Sequence, residues 1–177
     1  NSKTDWHLPS KDELAQLYIQ SATVGGFSPG YYWSSSEYDV GDAWGQSFID
    51  GYQGYLAKGA TYYVRPVRAF GSETSCANGG PCALGETGPG GGKVFYVSSS
   101  NFTSTGSDCG TACKYLEAAP SDHSSQVAWC SNITSSLGVT ATGIGSGMSN
   151  TTTADSTCTS GAIQVAADYT NNSKTDW

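Results

Sequence analysis

The same six residues open and close the chain, and this repeat constrains the architecture more than any other feature. Residues 1–6 and 172–177 both read NSKTDW, which gives a period of 172 − 1 = 171 residues. That period is the size of a whole domain and far exceeds the roughly 20–50 residues of solenoid repeats. The sequence therefore predicts a tandem array of domain-sized beads. A circular permutant or a duplicated cloning scar would produce the same pattern.

The composition favours short strands and tight turns over a helical bundle. Among 177 residues there are 23 Gly, 11 Tyr and 5 Trp, and only 13% are charged. Buried apolar area must therefore come largely from aromatic rings. The net charge of −7 makes nucleic acid and anionic membranes poor partners. Since no apolar run approaches 20 residues, we expect no insertion into a membrane.

The cysteines point to disulfides. Their spacing lacks the paired Cys-x2-Cys and histidine ligands of a zinc site, and an even number in an acidic Ser/Thr/Gly-rich chain favours an oxidising compartment. Sequence alone allows 15 connectivities. Our interpretation takes the two local pairs and leaves a long one: Cys76–Cys82, Cys109–Cys113 and Cys130–Cys158.

Two segments have helical signals. Ser10 followed by Glu13 forms a capping box at the start of a helix over residues 10–18, which ends before Gly25. Residues 161–169 read as a second helix. Between them, two-residue alternation and aromatic content predict strands at 31–35, 43–48, 62–70, 93–97 and 115–118, with 98–160 otherwise loop-like. Asp50-Gly51 is a hairpin turn signal.

No motif carries recognisable catalytic chemistry. The glycine-rich run 88–92 lacks the Lys-Ser/Thr of a phosphate loop and precedes a strand, so it predicts a turn. Neither histidine lies beside a nucleophile motif, and we interpret His7 as a structural residue at the helix entrance. We therefore expect no enzymatic activity, no cofactor and no metal centre. Calcium ligation by the acidic residues between 37 and 50 stays open, although their spacing does not match an EF-hand.

Several motifs together resemble a known family. In order, they are residues 6–14 (WHLPSKDEL), 32–37 (YWSSSE), Ala43-Trp44, Phe48 and 64–70 (VRPVRAF). They are similar to the C-terminal domain of collagen-like bacterial adhesins, also called a major paralogous domain, and residues 85–96 resemble the opening of that module. The resemblance implies an α+β, C-type-lectin-like fold of the formylglycine-generating-enzyme type on a secreted or surface protein. That fold has two helices and a twisted, mostly antiparallel sheet, and here it is loop-rich and disulfide-bonded. The adhesin relatives imply binding to sulfated glycans.

The family order of these motifs is reversed in this chain. Residues 1–71 then form the C-terminal half of one module, 72–81 a linker, and 82–177 the N-terminal half of the next module. This order predicts that the halves pair with neighbouring copies, that contacts between the halves of one chain are sparse, and that Trp177 lies where Trp6 of the next copy lies. A sheet joining residues 94–97 to 64–70 within one chain would contradict it.

The leading hypothesis is a non-enzymatic, secreted, tandem-repeat surface protein that forms an adhesive fibre or stalk, with neighbouring copies of the repeat as partners. The alternative is a lectin-like module that binds a glycan or protein through the loops between residues 37 and 62, where such folds concentrate binding residues. Trp33, Trp44 and Phe48 are assigned to the core. The candidate binding residues are Glu37, Tyr38, Asp39, Asp42, Asp50, Tyr52, Gln53 and Tyr55.

Overall fold

A computed structural model describes residues 5–72, 76 and 79–171. Four helices are present in this part of the chain: α1 (Lys11–Ile19), α2 (Ser21–Val24), α3 (Gly147–Asp155) and α4 (Ala162–Ala167). The strands are β1 (Trp6–His7), β2 (Tyr31–Glu37), β3 (Asp42–Ser47), β4 (Gln53–Ala57), β5 (Val67–Gly71), β6 (Lys93–Phe102) and β7 (Cys113–Ala118). The predicted α+β, disulfide-bonded fold class is confirmed.

The strands form two antiparallel sheets, where the sequence had predicted a single one. Among the described residues, a four-stranded sheet has the order β1-β5-β7-β6, and a three-stranded sheet has the order β2-β3-β4. One core lies between α1 and the larger sheet and contains Leu14, Leu17 and Leu116. A second core surrounds Trp33 and Trp129 and takes in α3 and α4.

The two halves of the chain share the larger sheet. Strands β1 and β5 come from residues 1–71, whereas β7 and β6 come from 82–177, and Ala69 lies opposite Leu116 in the β5–β7 pair. Both side chains are completely buried. The prediction of sparse contact between the halves is therefore wrong. Each half covers the apolar face of the other within the chain, and burial of apolar surface is the dominant favourable term in folding.

The ends of the described chain meet on one side of this closed unit. The rings of Trp6 and Tyr169 make an edge-to-face contact with centroids 5.2 Å apart. Asn171 Nδ2 donates a hydrogen bond of 2.9 Å to the carbonyl of Gly90. The described parts of the two halves therefore form one closed unit. The predicted position of Trp177 lies outside the described residues.

Helix α1 begins as the sequence predicts. The Ser10 hydroxyl accepts from the Glu13 amide, and the Glu13 carboxylate accepts from the Ser10 amide, so the capping box is complete. Glu13 Oε1 also accepts from the Gly145 amide at 2.8 Å. His7 is fully buried, with Nε2 3.5 Å from Glu13 Oε2, at the helix entrance as predicted. This one carboxylate therefore caps the helix and anchors the distant segment before α3.

Helix α3 and strand β4 were missed by the sequence patterns. The α3 sequence, GMSNTTTAD, consists largely of poor helix formers, and the helix is instead held by tertiary contacts. Thr151 Oγ1 accepts from the Leu8 amide at 3.1 Å, and Asn150 Nδ2 donates to the Ala141 carbonyl at 2.7 Å. The strand predicted over 62–70 is shorter than expected, since β5 begins only at Val67. Pro66, which has no amide hydrogen to donate, lies just before it.

All three disulfides follow the predicted pairing, with Cys76 bonded to Cys82, Cys109 to Cys113, and Cys130 to Cys158. The first two close loops with sequence separations of 6 and 4 residues. The third spans 28 residues and lies in the core around Trp129. The connectivity therefore combines two local staples with one long core link.

The glycine-rich run forms the predicted turn, and its glycines let the backbone approach a buried carboxylate. The amides of Gly90 and Gly92 donate to the two carboxylate oxygens of Glu117 at 2.8 and 3.0 Å. A Cβ atom on Gly90 would lie 2.6 Å from Glu117 Oε1 and 2.8 Å from the Trp6 ring. The φ angle of Gly90 is ordinary, so backbone conformation does not require glycine here. Glycine is required because a side chain would collide with Glu117 and Trp6.

Replacing Gly90 with alanine is expected to lower the free energy of unfolding by about 1–3 kcal/mol, because overpacking displaces Glu117 and Trp6. Urea denaturation monitored by tryptophan fluorescence measures the loss. Gly143→Ala is the matched control, since nothing lies within 4 Å of a Cβ there. Equal stability of the two variants would contradict the steric role of Gly90.

Candidate ligand-binding surface

Three aromatic side chains form a partly exposed cluster on the three-stranded sheet, here called the aromatic patch: Tyr38, Trp44 and Tyr55. The rings of Tyr38 and Tyr55 stack with centroids 4.5 Å apart and planes 11° apart. Trp44 meets Tyr38 edge-to-face at 5.3 Å. Tyr38 is 46% exposed and Tyr55 56% exposed. Two stacked rings with open surface thus lie beside a third.

The strand period places these rings on the outer face of the sheet. Trp44 in β3 lies directly opposite Tyr55 in β4, and the preceding pair is Ala43 opposite Leu56. Neighbouring residues along a strand point to opposite faces. Ala43 and Leu56 belong to the core around Trp33, so Trp44 and Tyr55 project away from it.

The core assignments for the aromatic residues need one correction. Trp33 is fully buried, and Phe48 packs partly buried against the core under α1, as predicted. Trp44 is only partly buried and belongs to neither core. The strand alternation places Trp44 on the outer face, opposite Tyr55 and away from the core residues Ala43 and Leu56.

The start of α1 borders the aromatic patch. Lys11 Nζ lies 4.2 Å from the centroid of the Trp44 ring, a cation–π contact. Gln53 Nε2 donates to the Lys11 carbonyl and to Gln46 Oε1, both at 2.9 Å. The Gln53 amide, predicted to bind ligand, therefore ties the helix to the sheet. Lys11 is not among the predicted residues, because the separation of Lys11 and Trp44 in the sequence gives no indication that they are in contact.

Two of the three aspartates of the predicted site, Asp39 and Asp50, lie in hairpin connections, and the third, Asp42, lies at the start of a strand. Asp39 Oδ1 accepts from the amides of Gly41 and Asp42, both at 2.8 Å. Asp42 begins β3, on the same face as Trp44 and two residues before it. Asp50 lies in the β3–β4 turn, where hydrogen bonds from Ser47 and the Tyr52 amide lower the pKa of its carboxyl. Only Asp42 shares the face of the patch by strand position.

Tyr52 lies on the opposite face from Tyr55, although both are exposed candidates. Its ring occupies the space that a Cβ of Gly54 would take, with the nearest atom 2.6 Å away. Gly54 shares its face with Leu56 by strand alternation, and Tyr55 points the other way. The 60% exposure of Tyr52 therefore belongs to a different surface.

Glu37 is corrected from a surface ligand residue to a buried structural one. It is 1% exposed, and its carboxylate accepts from Lys58 Nζ at 2.6 Å, from Ser136 Oγ at 2.8 Å and from the amides of Leu137 and Gly138. Burial alone would raise the pKa of Glu37, but these donors outweigh burial and hold it below its ordinary value. The carboxylate fixes the 136–138 loop to the end of β2.

Acidification is expected to remove the stabilisation that ionised Glu37 provides. Because its folded pKa lies below the ordinary value of 4.5, this contribution is present above that pH and is lost as pH falls through the folded pKa. Urea unfolding between about pH 3 and pH 6 should therefore show a steeper loss of stability in the wild type than in Glu37→Gln. Parallel pH profiles for the two proteins would contradict this role.

The described residues limit the other kinds of site. In that part of the chain no group of three or more His, Cys, Asp and Glu side chains is placed to hold a metal ion. No helix among the described residues is long and apolar enough to cross a membrane. The aromatic patch presents exposed ring surface to a ligand. Lys11 adds an ammonium group and Asp42 a carboxylate near the rings.

Comparison with known proteins bears on the N-terminal part of the chain. Residues 1–68 match the family model described as the Lcl C-terminal domain. The matched region contains all three rings of the aromatic patch and Lys11. No curated protein and no solved structure matches the chain significantly. The family match and the three disulfides are consistent with an extracellular, surface or adhesin-like protein.

Proposed function

We propose that the chain is the repeat unit of a non-enzymatic extracellular protein, in which C-type-lectin-like beads of the formylglycine-generating-enzyme type follow one another in an adhesive fibre or stalk. The observation that carries this proposal is the recurrence of NSKTDW after 171 residues. The contact between Trp6 and Tyr169, near the two ends of the described residues, is compatible with it. Neighbouring copies of the same repeat are its first partners.

The positions of the chain ends support a continuous array. Asp5 and Asn171 lie on one side of the bead, because Trp6 contacts Tyr169 and Asn171 bonds to Gly90. If the next copy follows at the period, four residues separate Asn171 from the equivalent of Asp5. Such a link spans at most about 17 Å when extended, so successive beads would be close neighbours.

The covalent and electrostatic properties also support an extracellular bead. Three disulfides in an 18.4 kDa chain are typical of an oxidising environment. The interior contains paired charges, Lys58 with Glu37 and Arg65 with Asp122, each with a fully buried cation. A fibre needs stable beads and defined joints and requires no active site.

Negative-stain microscopy of proteins containing one, two and four periods tests the proposal. We expect single globules for one period and linear rows whose length grows by one bead for each added 171 residues. The length of the parent gene gives a second readout, which should contain several consecutive periods. Isolated globules from a gene with no further period would contradict the fibre.

A lectin-like ligand-binding module is the second candidate, favoured by the aromatic patch. Exposed rings held rigidly on a sheet provide area for a ligand at little cost in conformational entropy. Fibre formation and ligand binding are compatible, since a fibre would display one patch per bead. The ligand is a glycan or a protein, and these two classes call for different surfaces.

A further inference from the structure

We propose that the aromatic patch is a binding site for an uncharged saccharide, with the apolar C–H face of a pyranose ring against the open surface of the Tyr38–Tyr55 stack. This inference rests on the proposed adhesive function and names the ligand class of that activity. It concerns three side chains, Tyr38, Trp44 and Tyr55, together with Lys11 and Asp42 at the edge.

The rings are held in place before any ligand arrives. Tyr38 is fixed on one side by stacking on Tyr55 at 4.5 Å and by the edge contact with Trp44 at 5.3 Å. Trp44 is in turn fixed by Lys11 at 4.2 Å. More than half of Tyr55 remains exposed in this arrangement. Because little side-chain freedom is left to lose, a ligand can gain from contact with these faces.

The edge of the patch supplies hydrogen-bonding groups for hydroxyls. Asp42 lies two residues before Trp44 on the same strand face and is partly exposed, so its carboxylate can accept from sugar hydroxyls. The Lys11 ammonium, which lies over the Trp44 ring, has only donors to offer. An uncharged polyhydroxyl ligand uses both kinds of group, whereas a sulfate beside Asp42 meets a like charge.

The distribution of basic residues also opposes a sulfated ligand. The whole chain has 8 Lys and Arg against 15 Asp and Glu. Three of the basic side chains are at most 2% exposed: Lys58, Arg65 and Arg68, each paired with a carboxylate. The surface is therefore poorer in cations than the composition implies, and sulfated glycans would face a net negative field. This separates the proposed ligand from the one implied by the adhesin resemblance.

A glycan array printed with uncharged hexose, pentose and N-acetylhexosamine oligosaccharides and with heparin tests the inference on the intact chain. We expect binding to at least one uncharged probe and weaker binding to heparin. Tyr55→Ala and Tyr38→Ala should each weaken that binding by about fivefold to tenfold, as expected for the loss of a stacking ring. Tyr52→Ala is the matched control and should stay within about twofold, because that exposed tyrosine lies on the opposite face.

Tyr55→Thr provides a second variant that keeps good strand propensity, and the thermal midpoint of each variant reports folding. Binding to no uncharged probe, stronger binding to heparin, or equal effects of Tyr52→Ala and Tyr55→Ala would each overturn the proposal. If the patch binds a protein and none of the printed saccharides, the proposal is overturned as well. Failure here leaves the fibre proposal standing, since that is read from the length of multi-period proteins.

Discussion

Replacing Arg68 with alanine is expected to lower the free energy of unfolding by about 3–5 kcal/mol, because it leaves two carboxylates buried without their cation. Arg68 is 2% exposed in β5 and binds the Asp5 carboxylate through Nε. Its Nη1 is 3.0 Å from Oε1 of Glu117, which is itself completely buried in β7. One guanidinium in β5 therefore binds both Asp5, next to β1, and Glu117 in β7.

The Arg68–Glu117 ion pair also predicts how the loss of stability in Arg68→Ala depends on pH. Burial raises the pKa of Glu117 above its ordinary value, against the attraction of Arg68 and the hydrogen bonds from Gly90 and Gly92. Without Arg68 that pKa should rise further. A buried acid with a raised pKa is destabilising while ionised, and the penalty is relieved as pH falls through the folded pKa. The stability difference between wild type and Arg68→Ala should therefore be larger near about pH 8 than near about pH 5.

Urea denaturation at several pH values measures both effects. Lys114→Ala is the matched control: it also removes a cation from the larger sheet, but its ammonium makes an exposed hydrogen bond to the Ser99 carbonyl. That variant should remain within about 0.5 kcal/mol of the wild type. If Arg68→Ala were equally mild, the buried network would not hold the halves together.

Removing the Cys130–Cys158 disulfide is expected to have the second-largest effect. Closing a 28-residue separation restricts the unfolded chain by about 3–4 kcal/mol in the entropy model. Both sulfurs belong to cysteines that are at most 2% exposed, in the core that contains Trp129 and Ile163. The variant Cys130→Ala/Cys158→Ala should therefore unfold at a markedly lower urea concentration.

The local Cys109–Cys113 disulfide serves as the comparison, because its separation of 4 residues restricts the unfolded chain by only about 2 kcal/mol. Intact-mass analysis should confirm that the two remaining disulfides are formed in each variant. A larger loss of stability in Cys109→Ala/Cys113→Ala than in Cys130→Ala/Cys158→Ala would contradict this ranking of the two disulfides.

Local signals predicted the parts of the fold that local interactions decide. The Ser10–Glu13 capping box is formed by residues three apart, and it starts α1 as expected. Helix α3 depends on Thr151 bonding to Leu8, 143 residues away, and no local pattern reports such a contact. The closure of β5 on β7 is likewise decided by partner choice between distant strands. Motif order pointed to the neighbouring copy, and the apolar faces pair within the chain.

The candidate surface was predicted in part, and the errors have a structural cause. The hairpin signal at Asp50-Gly51 located the turn, but a two-residue turn there would pair Gln46 with Tyr55. In the structure residues 48–52 connect β3 to β4, and Trp44 pairs with Tyr55. Composition gave no way to separate exposed Tyr55 from exposed Tyr52, which lies on the other face. In the sequence Glu37 cannot be distinguished from the surface acids near it. In the structure the distant 136–138 loop covers its carboxylate.

Residues 5–71 and 82–171 pack into one unit within a single chain, and NMR on the intact protein tests this closure most directly. A sample mixing ¹⁵N-labelled and ¹³C-labelled chains separates contacts within a chain from contacts between chains. We predict backbone NOEs between Ala69 and Leu116 within one chain, in a species whose mass by light scattering is that of a monomer. Absence of these NOEs, or their appearance only between differently labelled chains, would contradict the account.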